Sequence, residues 1–357
     1  MKGLLLAGGH GTRLRPLTFT GNKHMIPIAN QPMLFYGLRH LAQAGIHEVG
    51  IILGTVHEGI EEAIGDGRAF GLQITYIHQG DPRGLADAVR CARPFLGDDP
   101  FVMYLGDNLL QQGALPFVDL YERDAPDAVV GATAVADARS YGVVELDPQG
   151  QILSITEKPA QPKSNLALIG VYLFTPAIHD VVAKLKPSAR GEFEITDAIW
   201  ALHETGARVA VQKVEGWWKD TGRPEDLLEA NEKVLRAFPR DQLKREGTIE
   251  AGAEVRGGVA LGLGSVVRAG ARVHGPAVIG SGCEIGAGAF IGPATALGNR
   301  AKVTGASVRR SILLEGAKVS GPLEVVDSIL GRESRVTAQE PPRRISCIVG
   351  DATLLQL

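Results

Sequence analysis

From Ile249 onward the chain carries an aliphatic residue at every sixth position: Val255, Leu261, Val267, Val273, Ile279, Ile285, Ile291, Leu297 and Val303 follow in unbroken phase. A six-residue period sets one such side chain on each short side of a triangular coil, so that three repeats close a turn and stacked turns bury a column of Ile, Val and Leu. Arg309 interrupts the phase before Leu313, Val319 and Val325 resume it, which predicts a loop insertion followed by further coils. The last third of the chain is therefore expected to be a parallel β-helix in which each coil rests only on its neighbours.

Ahead of the repeat, residues 239–247 (PRDQLKREG) are polar and turn-prone, as a linker is. A length of 357 residues suits two domains, here 1–240 and 241–357, each large enough for its own core. In the first, short apolar runs at residues 3–7, 49–53, 74–77 and 101–105 alternate with helical patterns at 33–44, 58–64 and 85–95. Such alternation implies a parallel sheet covered on both faces, with ligands at the carboxyl ends of its strands. From about Asp127 the pattern turns strand-rich, at residues 129–135, 143–146, 152–156 and 166–174, which predicts a sugar-facing half built onto the sheet.

Composition narrows the function. A net charge of -3 shows no excess of either sign, which argues against a nucleic-acid partner. Cys91, Cys283 and Cys347 are odd in number and lack a CxxC pair, so neither a disulfide framework nor a zinc site is expected. No apolar stretch approaches the ~20 residues of a membrane span, and the first residues are too short for a signal segment. The expected location is the cytoplasm, with no membrane partner.

Three places can carry chemistry. The run at residues 3–7 ends in Gly8-Gly9-His10-Gly11-Thr12-Arg13, and Lys23 follows; glycines bare backbone N–H groups to phosphate oxygens while Arg13 and Lys23 supply positive charge. This is neither a Walker loop, because no Gly-Lys-Ser/Thr follows, nor a dinucleotide fingerprint, because Leu14 stands in the third glycine's place. The run at 101–105 ends in Gly106-Asp107, a carboxylate at the sheet edge where Mg2+ on a triphosphate can be held, and Asp220 in WWKDTG is the candidate second ligand. Taken singly, each also fits a plain turn or a helix cap. The pair Trp217-Trp218 is compatible with base stacking but suits core packing better.

Seven motifs in order carry a resemblance over essentially the whole chain: LAGGHGTRLRPLT at 6–18, QGDPRGLADA at 79–88, YLGDN at 104–108, YGVVE at 141–145, EKP at 157–159, GEFEITD at 191–197 and WWKDTG at 217–222. The chain resembles the sugar-nucleotide pyrophosphorylases, and among them the long-form glucose-1-phosphate thymidylyltransferases. The resemblance implies an α/β fold: a Rossmann-like nucleotidyltransferase domain around a mixed, mainly parallel sheet, followed by a left-handed parallel β-helix of hexapeptide repeats. It implies that Leu6, Gly8, Gly9, Gly11, Thr12 and Asp107 hold the nucleotide, with Gln79 and Gly84 recognising the base. Arg13 and Lys23 would face the triphosphate in the transition state, and Asp107 and Asp220 would bind Mg2+. Gly142, Glu157 and Val171 would contact the sugar and Lys158 its phosphate. His10 stands where related sequences usually have Lys or Ser, and Asn22 replaces a proline common in guanylyl and uridylyl relatives, which favours the thymidylyl branch.

The implied reaction makes dTDP-glucose and pyrophosphate from dTTP and glucose 1-phosphate. A sugar phosphate oxygen is already nucleophilic at neutral pH, so positioning and charge neutralisation supply the rate and no general base is required. Other readings keep part of this picture. UTP or another triphosphate can replace dTTP, because one methyl group is worth only about 1–3 kcal/mol in an apolar pocket. The β-helix can instead add an acyltransferase, with His274 as its histidine, or the fold can persist without turnover. A homo-oligomer is expected, because hexapeptide domains and thymidylyltransferases both assemble.

Overall fold

The computed structural model describes residues 1–239, 241, 243–340 and 343–357, and these divide into two compact units, Met1–His10 with Leu34–Asp220, and Gly11–Met33 with Thr221–Leu357. The linker expected over 239–247 and the boundary at 240/241 fall partly on Arg240 and Gln242, which lie outside the described residues.

The first unit is built on a nine-stranded mixed sheet whose main path runs Ile152–Glu157, Gly142–Leu146, Leu166–Phe174, Phe101–Leu105, Lys2–Ala7, Glu48–Gly54 and Gln73–Gly80. The four strands of the amino-terminal half are parallel, while Leu166–Phe174 runs antiparallel to Phe101–Leu105 and to Ala128–Ala134. Leu4, Leu5, Phe101, Val102, Met103 and Tyr104 are fully buried, as continuous apolar runs covered on both faces should be. The helical pattern at 85–95 resolves into Leu85–Cys91 and Arg93–Leu96, broken at Ala92. Pro94 explains the break, because its ring has no N–H to extend the first helix and is tolerated in the opening turn of the second.

In the second unit three parallel sheets stack as the sides of a triangular coil, and the described strands of each pair only within their own sheet. Ile249 pairs with Val267, which pairs with Ile285 and then Val303, so three six-residue repeats do complete one coil, as a left-handed parallel β-helix requires. Val267, Val273, Ile285, Ile291, Leu297 and Val303 are wholly excluded from water, each contributing about 1.5–3 kcal/mol by burial. Arg309 does not mark a loop insertion. The inward positions continue as Val308, Leu313, Val319, Val325, Leu330 and Val336, so some corners lose a residue where an insertion was expected. Val308 takes the core position, and Arg309 points out to pair with Glu324 on the next coil. Serine hydroxyls close buried corners by relaying hydrogen bonds: the Ser311 hydroxyl donates to Arg309 O at 2.7 Å and accepts from Ser328 N at 3.2 Å. Ser328 in turn accepts from Cys347 N at 3.0 Å. No helix among the described residues is long and apolar enough to cross a membrane.

One flank of the coil is covered within this unit. Helix Pro224–Arg236 sets Leu235 against Val278 and Ala296, and Asn231, fully buried on that helix, uses both ends of its amide. It accepts from Ala29 N at 2.9 Å and donates to Ala294 O at 3.1 Å. Asn231→Ala strands both backbone groups, so it should lower unfolding free energy by about 1–3 kcal/mol in urea titrations. A loss below about 0.5 kcal/mol would show that this amide is dispensable.

Candidate active site

Strand Phe101–Leu105 delivers the chain to Gly106, whose N–H donates to Leu6 O at 2.9 Å, and Asp107 follows. The chain continues into Asn108–Leu110, which pairs antiparallel with Trp218–Asp220 and sets Asp220 opposite Asn108. Directly opposed residues on such a ladder have Cα atoms about 4.5–5.5 Å apart. Asp107 and Asp220, far apart in the chain, thus meet at one end of one two-stranded ribbon. Their oxygen donors suit a hard divalent cation that draws its remaining ligands from phosphate and water. No cluster of three or more His, Cys, Asp or Glu suited to a metal occurs among the described residues, so a softer, protein-enclosed site has no candidate there.

Asn108 ties this corner together. Its Nδ2 donates to Asp107 Oδ1 at 3.1 Å, and its Oδ1 accepts from the Trp218 indole at 2.6 Å and from Gly170 N at 3.3 Å. Sequence reasoning gave Asn108 no role and left Trp218 unassigned; Trp218 is a donor in this network and meets Tyr141 edge-on at 5.4 Å. A polar residue after a strand-end aspartate was the only available signal, and it is equally the mark of a turn.

At the neighbouring strand ends, a Cβ on Gly8 would lie 3.4 Å from Gly54 N and 3.6 Å from Gln79 Oε1, so Gly8 and Gln79 are in van der Waals reach. Gln79 Nε2 donates to Gly84 O at 3.2 Å and to Asp87 Oδ2 at 3.0 Å, which joins the two positions expected to read the base. Gly84 has φ 111 and opens helix Leu85–Cys91, a conformation closed to most other residues. Leu6 and Val171 are buried in the sheet, at 7% and 0% exposure.

Gly11, Thr12, Arg13 and Lys23 belong to the second unit. Gly11, with φ 64, starts the short turn Thr12–Leu14, and Thr18 Oγ1 donates to Gly11 O at 2.8 Å. A Cβ on Gly11 would stand 2.8 Å from Lys23 Cβ, so the loop folds back and brings Lys23 to the glycine turn that leads to exposed Arg13.

Of the residues expected around the sugar phosphate, Gly142, Glu157 and Lys158 form a third group. Glu157 pairs across the ladder with Gly142, where a Cβ would come within 2.6 Å of the Thr196 methyl and 3.2 Å of Glu157 Oε2. Thr196 Oγ1 donates to Glu157 Oε2 at 3.2 Å, while Lys158 Nζ and Arg190 Nη1 each stand 3.3 Å from Glu157 Oε1. Arg190, which sequence reasoning missed, also pairs with Glu194 at 3.3 Å and Glu192 at 3.1 Å, so one guanidinium holds three carboxylates. Burial pushes the Glu194 carboxyl above its ordinary value against the hydrogen bond from Ser188. Burial, helped by the charge of Glu157, does the same to Asp197. His274, the candidate acyl-transfer residue, bonds through Nε2 to Glu254 Oε1 at 2.6 Å and packs edge-on to Phe290, a structural setting on the coil surface.

A family model for nucleotidyl transferases matches residues 2–237. The chain belongs to this family. This nucleotidyl transferase is 46% identical, over the full length of both chains, to the low-salt glycan biosynthesis nucleotidyltransferase Agl11 of Haloferax volcanii. It is 44% identical, over 100% of itself and 99% of the relative, to a glucose-1-phosphate thymidylyltransferase of Streptomyces griseus. A solved UDP-glucose pyrophosphorylase with UDP-glucose superimposes with a TM-score of 0.59 at 27% identity, covering 66% of this nucleotidyl transferase and 98% of that chain.

The raised carboxyls fix a pH response. A carboxyl held above its unfolded value favours the fold while protonated, and that contribution is lost as pH rises through the raised value. Glu194→Gln should therefore narrow the fall in melting temperature between the ordinary carboxylate range and neutrality; an identical fall in both proteins would exclude Glu194 as a source.

Proposed function

We propose that the chain transfers the thymidylyl group of dTTP to glucose 1-phosphate, giving dTDP-glucose and pyrophosphate. A phosphate oxygen of the sugar attacks the α-phosphorus, a new P–O bond forms, and the bond to the β-phosphate breaks with its electrons leaving on pyrophosphate. The pairing of Asp220 opposite Asn108, beside Asp107, is the observation that best supports this reading. Mg2+ held by Asp107 and Asp220 supplies charge neutralisation on the phosphates.

The chain's own residues do the rest. Gly8, Gly9 and Gly11 present N–H groups to the nucleotide, Leu6 and Thr12 flank them, and Gln79 with Gly84 recognises the base. Arg13 and Lys23 take up charge developing on the leaving group. Gly142, Glu157 and Val171 receive the sugar, and Lys158 orients its phosphate for in-line attack. Residues 1–240 form the catalytic domain in this reading, and 241–357 the β-helix that assembles a cytoplasmic homo-oligomer.

UTP is the second substrate to consider, because a related solved enzyme holds UDP-glucose and the two bases differ by a single methyl group. Pyrophosphate release measured with dTTP, UTP and GTP, each with glucose, galactose and N-acetylglucosamine 1-phosphates, should be fastest for dTTP with glucose 1-phosphate. Faster release with UTP would overturn the thymidylyl assignment. Asp107→Ala should lower kcat about 100-fold or more with an unchanged melt. Near-normal turnover with the same Mg2+ dependence would remove Asp107 from the mechanism.

A further inference from the structure

The segment Gly11–Met33, which carries Arg13 and Lys23, folds as part of the same compact unit as the β-helix. It is tied to the coils at two places. Near its carboxyl end, Asn30 Nδ2 donates to Leu297 O at 2.6 Å and Ala29 N donates to the buried Asn231. Midway along it, Thr20 Oγ1 donates to Asp351 Oδ2 at 2.7 Å, a bond made stronger by the carboxylate charge. Asp351 is itself oriented: its Oδ1 accepts from Arg332 N at 2.6 Å, and the Arg332 guanidinium lies 3.7 Å from its Oδ2. The same guanidinium borders Gly21, and a Cβ on Gly350 would be 3.2 Å from Pro16 O. Arg13 precedes this tie and Lys23 lies between the two.

A glycine-rich loop that must gather a polyphosphate loses backbone freedom when it does so, and that loss weakens binding unless the loop is already ordered. We propose that the last coils of the β-helix brace the loop that carries Arg13 and Lys23, with Thr20, Arg332 and Asp351 as positioning residues for triphosphate binding. The proposal rests on the reading of Arg13 and Lys23 as triphosphate contacts. It assigns the β-helix a part in substrate affinity besides any part in assembly.

The test uses the full chain with Thr20→Ala, Asp351→Ala, their combination, and Thr20→Ser. Thr20 is exposed, so its truncation leaves the fold intact even where that of Asp351 does not. Each single truncation should raise KM for the nucleoside triphosphate about tenfold, with KM for the sugar phosphate within about twofold. The double variant should be no worse than the poorer single one, because both remove the same bond, and Thr20→Ser should restore the parent value. Amide exchange at residues 19–23 of the nucleotide-free protein should quicken in Asp351→Ala. Unchanged exchange or additive effects would overturn the brace. Faster exchange with unchanged KM in an active parent would overturn only its link to affinity. A parent inactive with every triphosphate would refute the functional reading, while exchange would still report on the tie itself.

Discussion

In a parallel sheet, the strand from which successive crossovers part to left and right leaves a crevice at its carboxyl end. Lys2–Ala7 occupies that position, with Glu48–Gly54 on one side and Phe101–Leu105 on the other. The loop leaving it and the turn leaving Phe101–Leu105 therefore open at the same carboxyl edge, and the crevice of an α/β sheet forms there. Gly8 and Asp107 owe their position to this topology before any local preference acts. The antiparallel ribbon then adds Asp220, and the buried amide of Asn108 sets how the Asp107 carboxylate is held.

The six-residue period was the most legible feature, because one residue type recurs wherever a side chain enters a narrow column. Legibility failed at Arg309, where a single missing residue looks the same as an insertion once the count slips. Only the structure shows that Val308 has moved inward and that the outward arginine found Glu324. The break in the 85–95 helix was open to inspection in Pro94, yet apolar spacing alone ran across it.

Of the candidate site, sequence offered residues whose type is chemically demanding: loop glycines, cations and strand-end carboxylates. Those it left unassigned, Asn108, Trp218 and Arg190, each depend in part on a partner distant in the chain. An asparagine acquires its function from the indole and backbone N–H that reach it. Arg190 joins its sequence neighbours Glu192 and Glu194 to the distant Glu157, and only the first two are written in the local sequence.

The stacking of the coils also makes the β-helix a length standard. Successive strands in each of its sheets advance by about 4.8 Å along the axis. Asp351 meets Thr20 from the final coil, while Leu297 meets Asn30 from a coil nearer the middle. One coil more or fewer between these points would move the two anchor points apart or together by that step, beyond the reach of either bond. The number of turns in this stretch is thus set by the span of the segment it holds, and repeat loss or duplication, ordinarily tolerated in solenoids, is barred here by a tether lying outside the repeats.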